Sequence, residues 1–175
     1  MKYGGYIKRL QDLNLLTGKG NLLDMGCGDG YDSLIFKMMG YEVDGVDRRD
    51  YTIPEINFTQ TDIRDFPIQK DKYSVIFCIN TLPFIKDKSQ VKDVLIKMSE
   101  GLATGGVMYF TLFGYKDAWA DDPTMSFYSF EEADTIAHSL PGINIIENVN
   151  VEGEGRTMKG EPKHFEIHHF IGVKD

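Results

Sequence analysis

"LLDMGCGDG", Leu22–Gly30, is the stretch on which the reading of this chain turns. A short apolar run meets glycine at every second position, Gly26, Gly28 and Gly30. That pattern is a buried strand feeding a loop whose backbone must come close to a ligand. Three acids accompany it: Asp24 inside the run, Asp29 in the loop and Asp32 just beyond. A nicotinamide dinucleotide site asks for G-x-G-x-x-G, with the pyrophosphate resting on the N-terminus of the next helix. Here Tyr31 stands where the third glycine would fall, and Asp29 and Asp32 occupy the start of that helix. Carboxylates there complement the helix dipole themselves and oppose a second anion. The sign of the charge favours a cationic ligand without phosphate.

Working outward, residues 6–16 place Ile7, Leu10, Leu13 and Leu16 at helical spacing, with Gly18 as the stop. "YDSLIFKMMG" continues the glycine loop as a helix ending at Gly40. "YEVDGVD" is a second strand ending in Asp47, and "INFTQTDI" is a third. "YSVIFCIN" is almost wholly apolar and reads as a central parallel strand covered on both faces. "SQVKDVLIKMSEGL" is helical, and "GGVMYFTLF" is the fifth strand. Ser129 with Glu132 three residues on is a capping box for the next helix. "GINIIENVNVE" and "PKHFEIHHFIGVK" then follow as two strands with no helix between them. Alternating strands and helices predict a doubly wound α/β fold: a seven-stranded, mostly parallel sheet closed by a C-terminal antiparallel hairpin.

The chain's 175 residues suit one domain, and its formal net charge of −8 argues against a nucleic-acid partner. No apolar stretch approaches a membrane span, and the N-terminus lacks a signal-peptide pattern. Cys27 and Cys78 carry no disulfide or zinc spacing, so a cytoplasmic location is expected.

The ordered motifs carry a resemblance. "LLDMGCGDG", "VDGVD", "TQTDIRDFP", "YSVIFCIN" and "LATGGVMYFTL" follow one another over about residues 20–112 as do the motifs of class I S-adenosylmethionine-dependent methyltransferases. The resemblance implies a Rossmann-like methyltransferase domain over residues 1–175, with S-adenosylmethionine as cofactor. It implies that Gly26, Cys27 and Gly28, with Gly30 closing the motif, pass under the methionine portion, with Asp24 close beneath. Asp47 would hold the ribose with Arg48 beside it. Asp62 and Ile63 would meet the adenine, and Asn80 would face the methyl group and the acceptor.

A narrower resemblance covers residues 124–174, which are similar to the tail of the tellurite-resistance-type methyltransferase family. Phe127, Phe130, Arg156, Lys163 and Lys174 fit its arrangement, while Gly155 stands where that family has a histidine and Lys163 where it has an arginine. An ammonium and a guanidinium recognise anions differently. The resemblance implies a small, soft nucleophile as acceptor, such as a chalcogen oxyanion or a thiol. Arg156 and Asn80 are then expected to orient it.

Other features have more ordinary readings. His164, Glu166 and His168 alternate along one strand face, where a half-solvated surface explains them as well as zinc does; no metal site is assigned. Residues 113–128 form a long irregular segment, so Tyr115 and Trp119, with Tyr3 and Tyr6, are candidates for closing the pocket. Cys27 has no evident base partner and is not expected to act as a nucleophile. The expectation is a monomeric or homodimeric enzyme moving a methyl group to a small molecule by in-line displacement. The alternatives are a protein or RNA methyltransferase and a non-catalytic cofactor-binding module.

Overall fold

The computed structural model describes residues 5–175. The chain runs α1 (Gly5–Asp12), β1 (Asn21–Met25), α2 (Tyr31–Met38), β2 (Glu42–Asp47), β3 (Asn57–Gln60) and β4 (Tyr73–Cys78). It continues through a 3₁₀ turn (Leu82–Phe84), α3 (Lys88–Gly101), β5 (Leu102–Phe113), α4 (Phe130–His138), β6 (Ile143–Arg156) and β7 (Pro162–Lys174). The seven strands form one sheet in the order β3-β2-β1-β4-β5-β7-β6. The first five pair in parallel, and β7 is antiparallel to both β5 and β6. The expected architecture is therefore the observed one.

Period-two alternation explains how the sheet is covered. In β1, Leu22 points to one face and Leu23 to the other; in β4, Val75 and Phe77 oppose Ile76 and Cys78. One face packs against Ile7 and Leu10 of α1 and Phe36 of α2. The other packs against Val91, Leu95 and Met98 of α3 and Ala133 and Ala137 of α4. Strands buried on both faces take mostly apolar side chains, which is why the β4 run looks continuous in sequence, while a buried polar residue such as Asp24 in β1 needs a partner.

The helix expected over residues 6–16 is shorter. It ends at Asp12, and Asn14 adopts a left-handed conformation (φ 54°). The Asn14 amide donates to the Gln11 carbonyl at 2.9 Å and the Leu15 amide to the Leu10 carbonyl at 3.0 Å. This pair of bonds is a Schellman ending, in which asparagine serves in place of glycine. Leu13, Leu15 and Leu16 still pack on the core, but from a loop rather than a helix. The capping box on α4 forms as read: the Glu132 amide donates to Ser129 Oγ and the Ser129 amide to Glu132.

Strand order reverses between β1 and β4, and that is where an open α/β sheet leaves a crevice at the carboxyl ends of its strands. A cleft of about 640 Å³ opens there.

Candidate functional site

The glycine loop forms the floor of this cleft. Gly26 and Gly28 have φ of 77° and 54°, and a Cβ on Gly26 would run into the Thr81 side chain. A Cβ on Gly28 would lie 3.2 Å from Cε of Met158, at the tip of the β6–β7 hairpin. The hairpin thus folds back across the sheet edge and roofs the glycine loop. Arg156, Thr157 and Met158 form part of the wall.

Asp47 closes β2 beside the loop. Its Oδ2 accepts from the Gly28 amide at 3.0 Å and its Oδ1 from the Arg49 amide at 2.9 Å. These bonds fix the carboxylate, which lines the cleft, and leave it further lone pairs to accept with. Asp24 is buried under the loop and accepts from Ser33 Oγ at 2.6 Å. Burial, with the charges of Asp32 and Asp47 adding to it, pushes the Asp24 carboxyl up to about 7. Burial and Asp29 push Asp32 up to about 6. Asp32 Oδ1 is shielded from solvent and has no hydrogen-bond partner among the described residues. Acids forced together in this way favour a positively charged occupant.

At the far end of the cleft, Asn80 sits at the end of β4 with a left-handed backbone (φ 52°). Its amide donates to Thr111 Oγ1 at 2.7 Å, the Thr111 hydroxyl donates to Asn80 Oδ1 at 3.2 Å, and Asn80 Nδ2 donates to the Tyr6 hydroxyl at 3.2 Å. A residue held by three bonds to two neighbours can orient a ligand without rearranging.

The structure brings Asp24, Gly26, Cys27, Gly28, Asp47, Arg48, Asp62, Ile63, Asn80 and Arg156 onto one cleft, as expected. Gly30 departs from that set: it is the left-handed N-cap of α2, packed against Ile53 rather than on the wall. Asp62 reaches the wall, but both its oxygens are gripped by Arg64, at 2.8 Å from Nε and 2.7 Å from Nη2. That bond holds its carboxyl at about 2. Arg156 lines the cleft while donating to the Gly160 carbonyl at 2.6 Å, inside its own hairpin turn.

Of the pocket-closing aromatics, Tyr6 and Trp119 line the cleft. Tyr115 does not. Its hydroxyl instead accepts from Lys88 Nζ at 3.1 Å and donates to Glu132 at 3.2 Å. Tyr3 lies outside the described residues. Burial pushes the Cys27 thiol up, against any nucleophilic role. The face of His164, Glu166 and His168 is solvated only at His164, whose side chain is 35 % exposed and bonded to Glu154, because the loop after β5 covers the other two. Glu166 accepts from the Lys116 amide at 2.8 Å, and His168 bridges Asn150 and the Tyr128 carbonyl. Among the described residues no group of His, Cys, Asp and Glu is arranged to hold a metal ion.

Sequence reasoning did not find Tyr51, Thr81, Phe84, Met158 and Phe165, all of them on the wall. They come from turns, and for Phe165 from β7, where apolar spacing does not separate a ligand-facing side chain from a core one.

Comparison with known families meets this geometry. A family described as a methyltransferase domain matches residues 3–144. The chain belongs to this methyltransferase family. No curated protein matches it. Among solved structures, a methyltransferase from Methanosarcina mazei described as dependent on S-adenosylmethionine is 16 % identical with a TM-score of 0.73, over 94 % of this chain and 96 % of that one. TehB from Haemophilus influenzae is 19 % identical with a TM-score of 0.77, over 99 % of this chain and 63 % of that one. A Burkholderia thailandensis 1,6-didemethyltoxoflavin-N1-methyltransferase is 13 % identical with a TM-score of 0.71, over 97 % and 76 %. At these identities the likeness shows the fold. With the family established, this methyltransferase uses S-adenosylmethionine, and the cleft's residues fit that cofactor: a bare backbone cradle, a fixed acid at the end of β2 and an orphaned buried carboxylate oxygen.

Proposed function

We propose that this methyltransferase acts on a small-molecule acceptor. The observation that carries the proposal is enclosure. The cleft of about 640 Å³ is walled by this chain's own hairpin and β5–α4 loop, and that volume falls within the range of small-molecule sites. The solved Burkholderia relative, which holds 1,6-didemethyltoxoflavin and S-adenosylhomocysteine, is a case of such an acceptor on this fold.

In this reading Gly26, Cys27 and Gly28 carry the methionine portion of the cofactor. Asp24 and Asp32 supply the negative charge that its ammonium needs. Asp47, already aligned by Gly28 and Arg49, takes the ribose hydroxyls with Arg48 beside it. Ile63 packs against the adenine, and Asp62 offers it the lone pairs that Arg64 leaves free. When bound, S-adenosylmethionine would supply an electrophilic methyl carbon to the acceptor's lone pair, with the sulfur–carbon electron pair left on sulfur as S-adenosylhomocysteine and any acceptor proton released to water. The protein's part is to place the acceptor in line and keep bulk water out. Asn80, fixed by Tyr6 and Thr111, orients the acceptor, while Arg156, tied to the Gly160 carbonyl, stays at the hairpin tip.

Calorimetry with S-adenosylmethionine, S-adenosylhomocysteine and NAD tests the cofactor assignment directly. Asp47→Ala should weaken S-adenosylmethionine binding more than tenfold, about 1.4 kcal/mol, because a charge-assisted contact is lost. Unchanged affinity would remove Asp47 from the ribose site, and tight NAD binding without S-adenosylmethionine binding would end the reading.

A further inference from the structure

Beyond Asn80 the cleft changes character. Its wall there is built by Phe84 from the 3₁₀ turn, Phe113 at the end of β5, Trp119 from the following loop, and Phe165 and Ile167 of β7. Trp119 stands 6.1 Å from Phe84, and Phe113 stands 6.3 Å edge-on from Phe165. Aromatic rings from four separate elements converge on one space, directly past the residue expected to face the methyl group.

Lys163, the cation nearest these rings among the described residues, is not available to an anion. Its Nζ lies 2.5 Å from Asp117 Oδ2, with the two side chains 2 % and 0 % exposed. The same nitrogen is packed against Phe165, Trp119 and Phe113, at 3.7, 4.1 and 4.7 Å from the ring centres. It stands behind these rings and is not on the cleft wall. Among the described residues, the cations that do line the cleft are Arg48 and Arg49 after β2, and Arg156 and Lys159 at the hairpin tip. A small oxyanion placed against this wall would give up its hydration for ring faces and receive no charge in return. A flat ring would stack there, and it brings little rotamer freedom to lose.

We propose that the acceptor is an uncharged, flat aromatic or heteroaromatic molecule bound against Trp119 and Phe165, and that Trp119 sets this specificity. The proposal rests on the methyl-transfer reading. It departs from the chalcogen oxyanion that the tellurite-resistance resemblance implies.

The test uses the full chain saturated with S-adenosylhomocysteine, titrated by calorimetry with 1-naphthol and quinolin-4-ol, both uncharged at neutral pH. Decahydro-1-naphthol serves as the saturated counterpart, and sodium tellurite and selenite as the oxyanions. Trp119 is the chain's single tryptophan, so its fluorescence reports the same event without turnover. At least one flat probe should bind about tenfold or more tightly than decahydro-1-naphthol and should quench Trp119. Trp119→Ala should lose at least about tenfold on that probe, and Trp119→Phe should recover most of it. Retained S-adenosylhomocysteine binding by Trp119→Ala shows that the variant is folded. Equal binding of flat and saturated probes, no binding by any flat probe, or tighter binding of tellurite or selenite would overturn the proposal while leaving methyl transfer intact. Failure of S-adenosylhomocysteine itself to bind would instead strike the methyl-transfer reading, and this proposal with it.

Discussion

Asp24 and Asp32 are acids held where their own charge is unwelcome, and that has a consequence for pH. In the folded protein the Asp24 carboxyl sits at about 7, raised from 3.8 chiefly by burial. A raised carboxyl binds its proton more tightly in the native state, so its stabilising contribution is complete below about pH 4 and is lost as pH rises through about 7. Asp24→Asn keeps the neutral shape at every pH. Without cofactor its melting temperature should exceed that of the wild type at about pH 8, and the two should converge as the pH falls toward about 4. The same variant should gain less from added S-adenosylmethionine at about pH 8, because the counter-charge is gone. Parallel melting curves across the range would show that Asp24 is not perturbed in this way. Asp24 and Asp47 were legible in the sequence because strand ends and glycine spacing fix their places. The grip of Arg64 on Asp62 was not, since a side chain two residues away can swing toward the acid or toward solvent, and only the packed turn decides.

At the level of elements, local chemistry was a good guide wherever the signal is short-ranged. The Ser129–Glu132 box is read from two residues and is present as read. Ser129→Ala should cost about 1 kcal/mol in denaturant melts, while Thr135→Ala on the same helix should cost little. Equal losses from both would mean that the cap contributes nothing specific. Helix α1 shows where periodicity misleads. Leu13 and Leu16 continue an apolar rhythm that the backbone no longer follows once Asn14 turns left-handed. The hairpin of β6 and β7 was evident, but its reach over Gly28 was not. Strand pairing is set by alternation within each strand, whereas the direction in which a long hairpin bends depends on twist accumulated across the sheet.

On the scale of the whole molecule, the buried Lys163–Asp117 pair joins the loop after β5 to β7 and so holds Trp119 in place. Burial draws the Lys163 pKa down, and Asp117 pulls it back up. Removing one partner leaves an uncompensated charge among aromatic rings, typically about 3–5 kcal/mol. Lys163→Met should therefore lower the melting temperature by roughly 10 °C. The double variant Lys163→Met/Asp117→Leu should recover much of that loss, since an apolar replacement leaves no charge stranded. A single variant as stable as the wild type would show that water reaches the pair.

The sequence by itself determined the doubly wound sheet, the glycine cradle and the acids at the ends of β1 and β2. Those features follow from periods of two and 3.6 residues and from spacings within one strand-loop-helix unit, which tertiary packing does not alter. Only the tertiary structure decided that Lys163 faces Asp117 rather than a ligand, that Tyr115 bonds to Lys88 and Glu132 while Trp119 lines the cleft, and that Met158 lies over Gly28. Each joins residues tens of positions apart, and contacts at that separation are fixed by how loops and a hairpin settle on a finished sheet.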